Sequence, residues 1–215
     1  FYTWRGAPGE LGTFLANHPD ARVQDPGNAE PVAMTAGLPA NLIVDYCAGR
    51  GTKTKQLAEV HPEARIIASD IEPFRQASLA DTFSGHSKVE VVEHGDFAEA
   101  IGRTNLLLLD VPCTNTGVLP RRPEAKYRFS KESLASLARI QRTIVRETEP
   151  LLAPSGAVVF ATCSLEPAEN ERQVAELARK HGLSIQSSIQ RFPEGLPGDD
   201  PSSIHDGSFH AILTR

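Results

Sequence analysis

From residue 41 onward the chain alternates between two apolar rhythms. Runs dense in Ile, Val and Leu recur at 41–46, 65–70, 89–93, 105–111, 156–162, 183–190 and 208–214, most of them flanked by turn-forming residues, as strands are expected to be. Between them, 53–60, 73–82, 131–150 and 167–181 read as helices. Val174, Leu177 and Ala178 mark one buried face of the last, and Pro167 suits its first helical position. Strands that alternate with helices predict an α/β chain built on a mostly parallel sheet. The 191–207 connection is rich in Pro, Gly and Asp and holds no convincing helix. The last two strands are therefore expected to be antiparallel neighbours, the final one reversed.

Residues 1–40 break this rhythm. Gly6, Pro8, Gly9, Gly12, Pro19, Pro26, Gly27, Pro31, Gly37 and Pro39 predict an irregular lead-in with one short strand near Thr13–Leu15. The chain starts at Phe1 rather than Met, so it is expected to be a fragment of a longer protein. Residues 41–215 are expected to form the catalytic domain.

Composition narrows the class. Hydrophobic content of 40% and charged content of 23% suit one globular domain with a proper core. Cys47, Cys113 and Cys163 are an odd, sparse set, which argues against a disulfide scaffold and for a reducing, cytoplasmic setting. No apolar window reaches the length of a membrane span, and residues 1–20 lack the pattern of a signal peptide. Neither a membrane nor a metal partner is expected, and a monomer is. A net charge of −5 argues mildly against nucleic acid, with RRPEAKYR at 121–128 as the densest basic exception.

Three strand ends carry a nucleoside-like pattern. The first runs into DYCAGRGTKT, where Gly49 and Gly51 flank a helix start and let backbone N–H groups approach a ligand. Alone, a GxG is as readily a tight turn. The second ends at Asp70, 25 positions after Asp45, near the roughly 20-residue offset of an acid that grips ribose hydroxyls. The third is followed by Asp96, placed to bond an exocyclic amine such as that of adenine. Any one of these acids is more often a cap or turn residue; the ordered set favours a nucleoside. Lys53 and Thr54 stand where GxGxxG would put its third glycine, which disfavours a dinucleotide and a nicotinamide-dependent oxidoreductase, and favours S-adenosylmethionine.

Two further strand ends carry thiols. NLLLLDVPCTNTG at 105–117 delivers Asp110 and Cys113, and ATCSLEPAENE at 161–171 delivers Cys163. Reacting groups collect at this edge of open α/β sheets. An isolated buried Cys is usually a small hydrophobe, but here both thiols lie beside a proposed methyl donor. The helix expected at Pro167 would lend Cys163 its dipole.

These segments resemble the RNA cytosine-5 methyltransferases of the bacterial Sun or Fmu type and their eukaryotic nucleolar relatives, from VQD at 23–25 to DGSF at 206–209. DVPCTNTG is similar to that family's DxPCSGTG, ATCSLEPAENE to its TCSxxxxENE, and CAGRGTKT to its CAAPGGKT, with Arg50, Thr52 and Asn115 as departures. The resemblance implies a Rossmann-like class I S-adenosylmethionine-dependent methyltransferase fold with a seven-stranded sheet, and residues 1–40 as the remnant of an upstream RNA-recognition region. It implies ribosomal RNA as substrate, with transfer RNA as the alternative. Cys163 would attack cytosine C6, Asp110 would bond the base, and Cys113 would assist proton removal or release. Cys47, Ala48, Gly49, Arg50, Gly51, Thr52, Lys53, Asp70, Arg75, Asp96 and Asp110 would surround the donor, with Lys53 able to serve the acceptor side instead. Arg121, Arg122, Lys126, Tyr127 and Arg128 are candidate RNA contacts, each as readily part of a solvated loop. A DNA cytosine-5 methyltransferase, with Cys113 as nucleophile, and a non-catalytic binding module remain as alternatives.

Overall fold

The computed structural model describes residues 3–18, 21–195 and 199–215. Among these, seven strands form one sheet: β1 (Leu42–Asp45), β2 (Arg65–Ala68), β3 (Val89–Val91), β4 (Thr104–Asp110), β5 (Leu152–Thr162), β6 (Ser184–Arg191) and β7 (Ser208–Thr214). Their spatial order is β3-β2-β1-β4-β5-β7-β6, parallel except for β7, which runs antiparallel to both neighbours. The order reverses between β1 and β4, and a doubly wound sheet opens its ligand crevice at such a point.

The leucine run of β4 shows why this sheet is central. Leu106 and Leu108 join Ile43, Ile66, Leu57 and Leu79 in one apolar cluster, while Leu107 and Leu109 join Val44, Phe160, Val145, Val174 and Leu177 in the other. A strand buried on both faces reads as a continuous apolar run rather than an alternating one. Helices α3 (Thr52–Val60) and α4 (Pro73–Thr82) supply the first cluster, and α5 (Lys131–Thr148) and α6 (Glu171–His181) the second. Ser130 caps α5 by accepting from Ser133 N at 3.0 Å, and Gly182 closes α6 at φ 66°. Among the described residues no helix is long and apolar enough to cross a membrane.

The lead-in is more regular than its composition suggests. Helix α1 (Pro8–Asn17) occupies the place of the strand expected near Thr13–Leu15, and α2 (Pro26–Ala33) follows it. Pro8 and Pro26 sit at first helical positions, where a missing N–H breaks no helical bond, so counting prolines as breakers misread them. Asp25 caps α2 through Gly27 N, and Val32, Ala29 and Gly27 are buried against the sheet domain. Gln56 of α3 donates to Ala29 O at 2.9 Å, which ties α2 to that domain.

Other boundaries shift for identifiable reasons. Helix α6 begins at Glu171, not Pro167, because residues 167–170 form a separate turn that ends at Asn170, whose backbone (φ −113°, ψ −114°) lies outside the helical region. Helix α5 stops at Thr148, and a single tight turn, Glu149–Leu151, leads into a β5 that begins four residues earlier than expected, at Leu152. The 191–207 connection contains one short turn of helix, Pro201–Ser203, and a bridge between Glu194 and His205; its residues 196–198 lie outside the described set.

Two glycines fix how the loop after β4 meets the loop before β7. Gly117 N donates to Cys163 O at 3.0 Å and Gly207 N donates to Gly117 O at 2.9 Å. A Cβ on Gly117 would overlap the Gly207 carbonyl and lie 2.9 Å from Cys163 O. These are backbone atoms and cannot turn aside. Gly117→Ala is expected to lower stability by about 2 kcal/mol or more. Gly37→Ala, where a Cβ meets nothing, should stay within about 0.5 kcal/mol. Urea unfolding of both variants checks the contrast.

Candidate active site

The carboxyl ends of β1, β2, β4 and β5 line one cleft of about 1110 Å³, closed on its far side by α5 and by residues 23–28 ahead of and within α2. Its volume is at the upper end for small-ligand sites, enough for a nucleoside and a second ring.

On the β1–β2 side, the turn after β1 is shaped by Gly49 (φ 60°) and Gly51 (φ 89°). Gly51 is not a lining residue; a Cβ there would meet Phe83 at 2.5 Å, so it serves packing beneath the loop. Gly49 lines the cleft, and a Cβ on it would meet nothing, which leaves an open cradle. Asp70 accepts from Gly49 N and from Glu72 N, both at 2.9 Å, and is held rigid at the cleft wall. Glu72, rather than Asp70, caps α4. Arg50 stacks over Phe74 at 5.2 Å, and Cys47, Ala48, Thr52 and Arg75 also line this side. Asp96 is exposed and not among the lining residues; His94 lines the cleft in its place. The open cradle at Gly49 and a fixed carboxylate beside it fit a ribose-bearing group.

On the β4–β5 side the register sets Asp110 beside Ala161, two residues before Cys163. Lys53 reaches across from α3 and pairs with Asp110, Nζ to Oδ2, at 2.8 Å. Burial alone would lower the Lys53 pKa, but the charge and hydrogen bond of Asp110, helped by Cys163 and Asp45, more than reverse it, and Lys53 stays an ammonium. The two thiols stand 3.3 Å apart, Sγ to Sγ. Cys113 is buried, and its pKa is pushed well above the ordinary thiol value, first by its hydrogen bond with Cys163 and then by burial. Cys163 is partly exposed at the cleft and bonds Asn115 Oδ1 at 2.8 Å. Its partner is thus a side chain, not the helix dipole expected from a start at Pro167.

A buried carboxylate holds both loops. Glu169, fully buried, accepts from Thr114 N at 3.0 Å and from Thr114 Oγ1 at 2.6 Å. Gln141 of α5 donates to Pro112 O at 3.0 Å. Ser164 is gripped between Thr114 and Thr116, each 3.2 Å from its hydroxyl.

The candidate RNA contacts divide. Arg121 is committed to the buried Asp206, whereas Arg122 lines the cleft with no ion pair among the described residues. Lys126 lies over Tyr127 at 4.8 Å, and neither they nor Arg128 line the cleft. Sequence reasoning missed Arg139, Gln24, Asn28, Tyr46 and Glu147, which line it from α5, the α2 segment and the end of β1. Only the i, i+4, i+8 spacing of Arg139, Thr143 and Glu147 along one helix face could have signalled part of this set.

The fold and this edge define a Rossmann-like methyltransferase domain with a paired-thiol site. The chain belongs to the family described as 16S rRNA methyltransferase RsmB/F, whose model matches residues 32–195. It is similar to ribosomal RNA small subunit methyltransferase B of Erwinia tasmaniensis, 33% identical over 206 residues, with 90% of this chain and 46% of that protein covered. The namesake of Proteus mirabilis is 34% identical over 179 residues, covering 80% and 41%. The chain thus spans less than half the length of these relatives. Among solved structures, NSun6 from Pyrococcus horikoshii with SFG superposes at a TM-score of 0.68 with 25% identity, covering 89% of this chain and 52% of that one. A methyltransferase from Aquifex aeolicus described as SAM dependent shares the fold at a TM-score of 0.58 and 12% identity, covering 98% and 99%.

Beneath the first loop, Asp45 is fully buried and accepts from Thr54 Oγ1 at 2.7 Å, while its Oδ1 has no partner among the described residues. Burial pushes its pKa up to about 7. A carboxyl near 3.9 when unfolded therefore takes up a proton on folding, and stability is lost as pH rises through that window. Asp45→Asn removes this slope. The stability difference, variant minus wild type, should grow between pH 4 and pH 7 by up to about 4 kcal/mol. Urea unfolding across that range checks it, and a pH-independent difference contradicts it.

Proposed function

We propose that this chain is the catalytic domain of an S-adenosylmethionine-dependent RNA cytosine-5 methyltransferase acting on ribosomal RNA, as a cytoplasmic monomer that needs no metal. The observation that carries this reading is the juxtaposition of two thiols with the Lys53–Asp110 pair at one cleft edge. The family membership and the names of its relatives support the choice of RNA.

The residues suit a covalent route. Cytosine C5 is a poor nucleophile, and addition of the Cys163 thiolate to C6 converts the ring into an enamine-like one. Asp110 would accept from the amino group of the base, and as negative charge develops at N3 the proton that Lys53 Nζ donates to Asp110 Oδ2 would pass through that carboxyl to the ring, leaving Lys53 neutral until the proton returns on release. S-adenosylmethionine supplies an electrophilic methyl group on a sulfonium; Gly49, Asp70, Arg75 and the Cys47–Lys53 loop would hold it. Release then requires loss of the C5 proton and rupture of the C6–sulfur bond. Cys113, in contact with the departing sulfur, is placed to assist. A DNA-type assignment would need Cys113 to attack first, and its burial and raised pKa disfavour that.

Two outcomes are expected. With full-length protein and ribosomal RNA, Cys163→Ala abolishes methyl transfer, while Cys113→Ala accumulates a denaturation-resistant protein–RNA adduct; absence of that adduct, or its formation by Cys163→Ala, contradicts the assignment. Replacing Arg122 and Arg139 with Ala should weaken RNA binding and reduce the slope of log affinity against log salt by about 0.7 for each lost phosphate contact. Titrations at several salt concentrations read this directly.

A further inference from the structure

Asn115 is the one non-glycine residue with positive φ among the described residues (φ 59°, ψ 28°). The backbone there is left-handed, a conformation Asn tolerates better than most residues. Its side chain is held at both ends. Nδ2 donates to Cys113 O at 3.0 Å, which turns Oδ1 towards the Cys163 thiol, 2.8 Å away. The loop cannot drift, because Gly117 N bonds Cys163 O and Leu165 N bonds Thr116 Oγ1 at 2.8 Å.

An amide oxygen accepts and cannot donate. Facing a thiol it bonds S–H; facing a thiolate it presents a partial negative charge to a negative sulfur. Rotating the amide by half a turn would instead set Oδ1 against Cys113 O. We propose that Asn115 is a positioning residue that holds Cys163 in its neutral, unreactive form until the substrate base enters and takes over the space around the thiol. The proposal rests on the reading of Cys163 as nucleophile. Other groups facing the sulfur are the Lys53 ammonium, which favours thiolate and is itself paired with Asp110, and the Cys113 thiol. The Cys113 thiol keeps its proton through the bond with Cys163 and so sides with Lys53, which leaves Asn115 as the group that opposes both.

Alkylation by iodoacetamide tests this without RNA or methyl donor. The sulfur displaces iodide to form a thioether, its proton passes to buffer, and peptide mass spectrometry reads position 163 separately from Cys47 and Cys113. Gly accepts φ 59° without strain, so Asn115→Gly is expected to fold. Its Cys163 should react about fivefold faster at pH 7, which is about 1 kcal/mol of lost hydrogen bonding, and the rate-against-pH curve should move to lower pH. Asn115→Asp, which adds a charge beside the sulfur, should react more slowly and shift the curve to higher pH. Unchanged rate and pH profile in Asn115→Gly overturn the proposal. If that variant does not fold, an Asn115→Asp rate equal to or above wild type overturns it instead. Because no methyl transfer is involved, these results stand apart from the cysteine assignments, which are judged by methylation and by which cysteine variant accumulates the adduct.

Discussion

One buried carboxylate organises the chemistry. Glu169 has no ion pair among the described residues, yet it is fully buried and takes bonds from the Thr114 amide and hydroxyl. An ionised carboxylate removed from water must be satisfied by donors or neutralised. Thr114 follows Cys113, and Glu169 lies six residues beyond Cys163, so the same bonds that satisfy the buried oxygens draw the two thiol-bearing loops together. Ser164, between two threonines, extends the seam, and the Gly117–Gly207 contact closes it from below. The thiol separation of 3.3 Å is a consequence of that seam.

Across the cleft, the electrostatics follow from which charges are paired. Lys53 is neutralised by Asp110, and Arg121 by Asp206, so neither is free to bind phosphate. On the walls flanking the thiols, Arg122 on the loop after β4 and Arg139 on α5 have no ion pair among the described residues and can meet a polyanion. An acidic chain can therefore present a locally basic mouth, and whole-chain net charge is a weak guide to its partner.

Much of the sheet is legible in the sequence because a strand buried on both faces has few other ways to read. The LLLL run of β4 and the VVF of β5 belong to that kind, and their ends carry Asp110 and Cys163 as expected. The lead-in was illegible for a physical reason: a proline at a first helical position and a proline in a loop look alike in sequence, and only packing of Val32 and Ala29 distinguishes them. Asp96 and Gly51 illustrate another limit. Spacing places a residue near a strand end but does not say which way it faces, and these two face solvent and core. The later start of α6 is of the same kind, since nothing in the sequence marks Asn170 as the residue whose backbone leaves the helical region and whose side chain bonds back to Thr162 and Ser164.

The departures in the nucleotide loop, Arg50 and Thr52 in place of the family's Pro and second Gly, would matter most if those positions required a left-handed backbone. They do not. The positive φ values fall on Gly49 and Gly51, and Asn115 is the sole non-glycine to share that region among the described residues. Thr52 simply begins α3, where any residue other than Pro keeps its place without strain and even Pro would be tolerated. Arg50 faces outward onto Phe74, so its side chain supports the rim instead of filling the cradle at Gly49. The loop keeps its shape because the left-handed positions fall on Gly51, a glycine shared with the family's CAAPGGKT, and on Gly49, which stands where that motif has Ala, so Arg50 and Thr52 can vary in chemistry without moving the backbone path around the ligand.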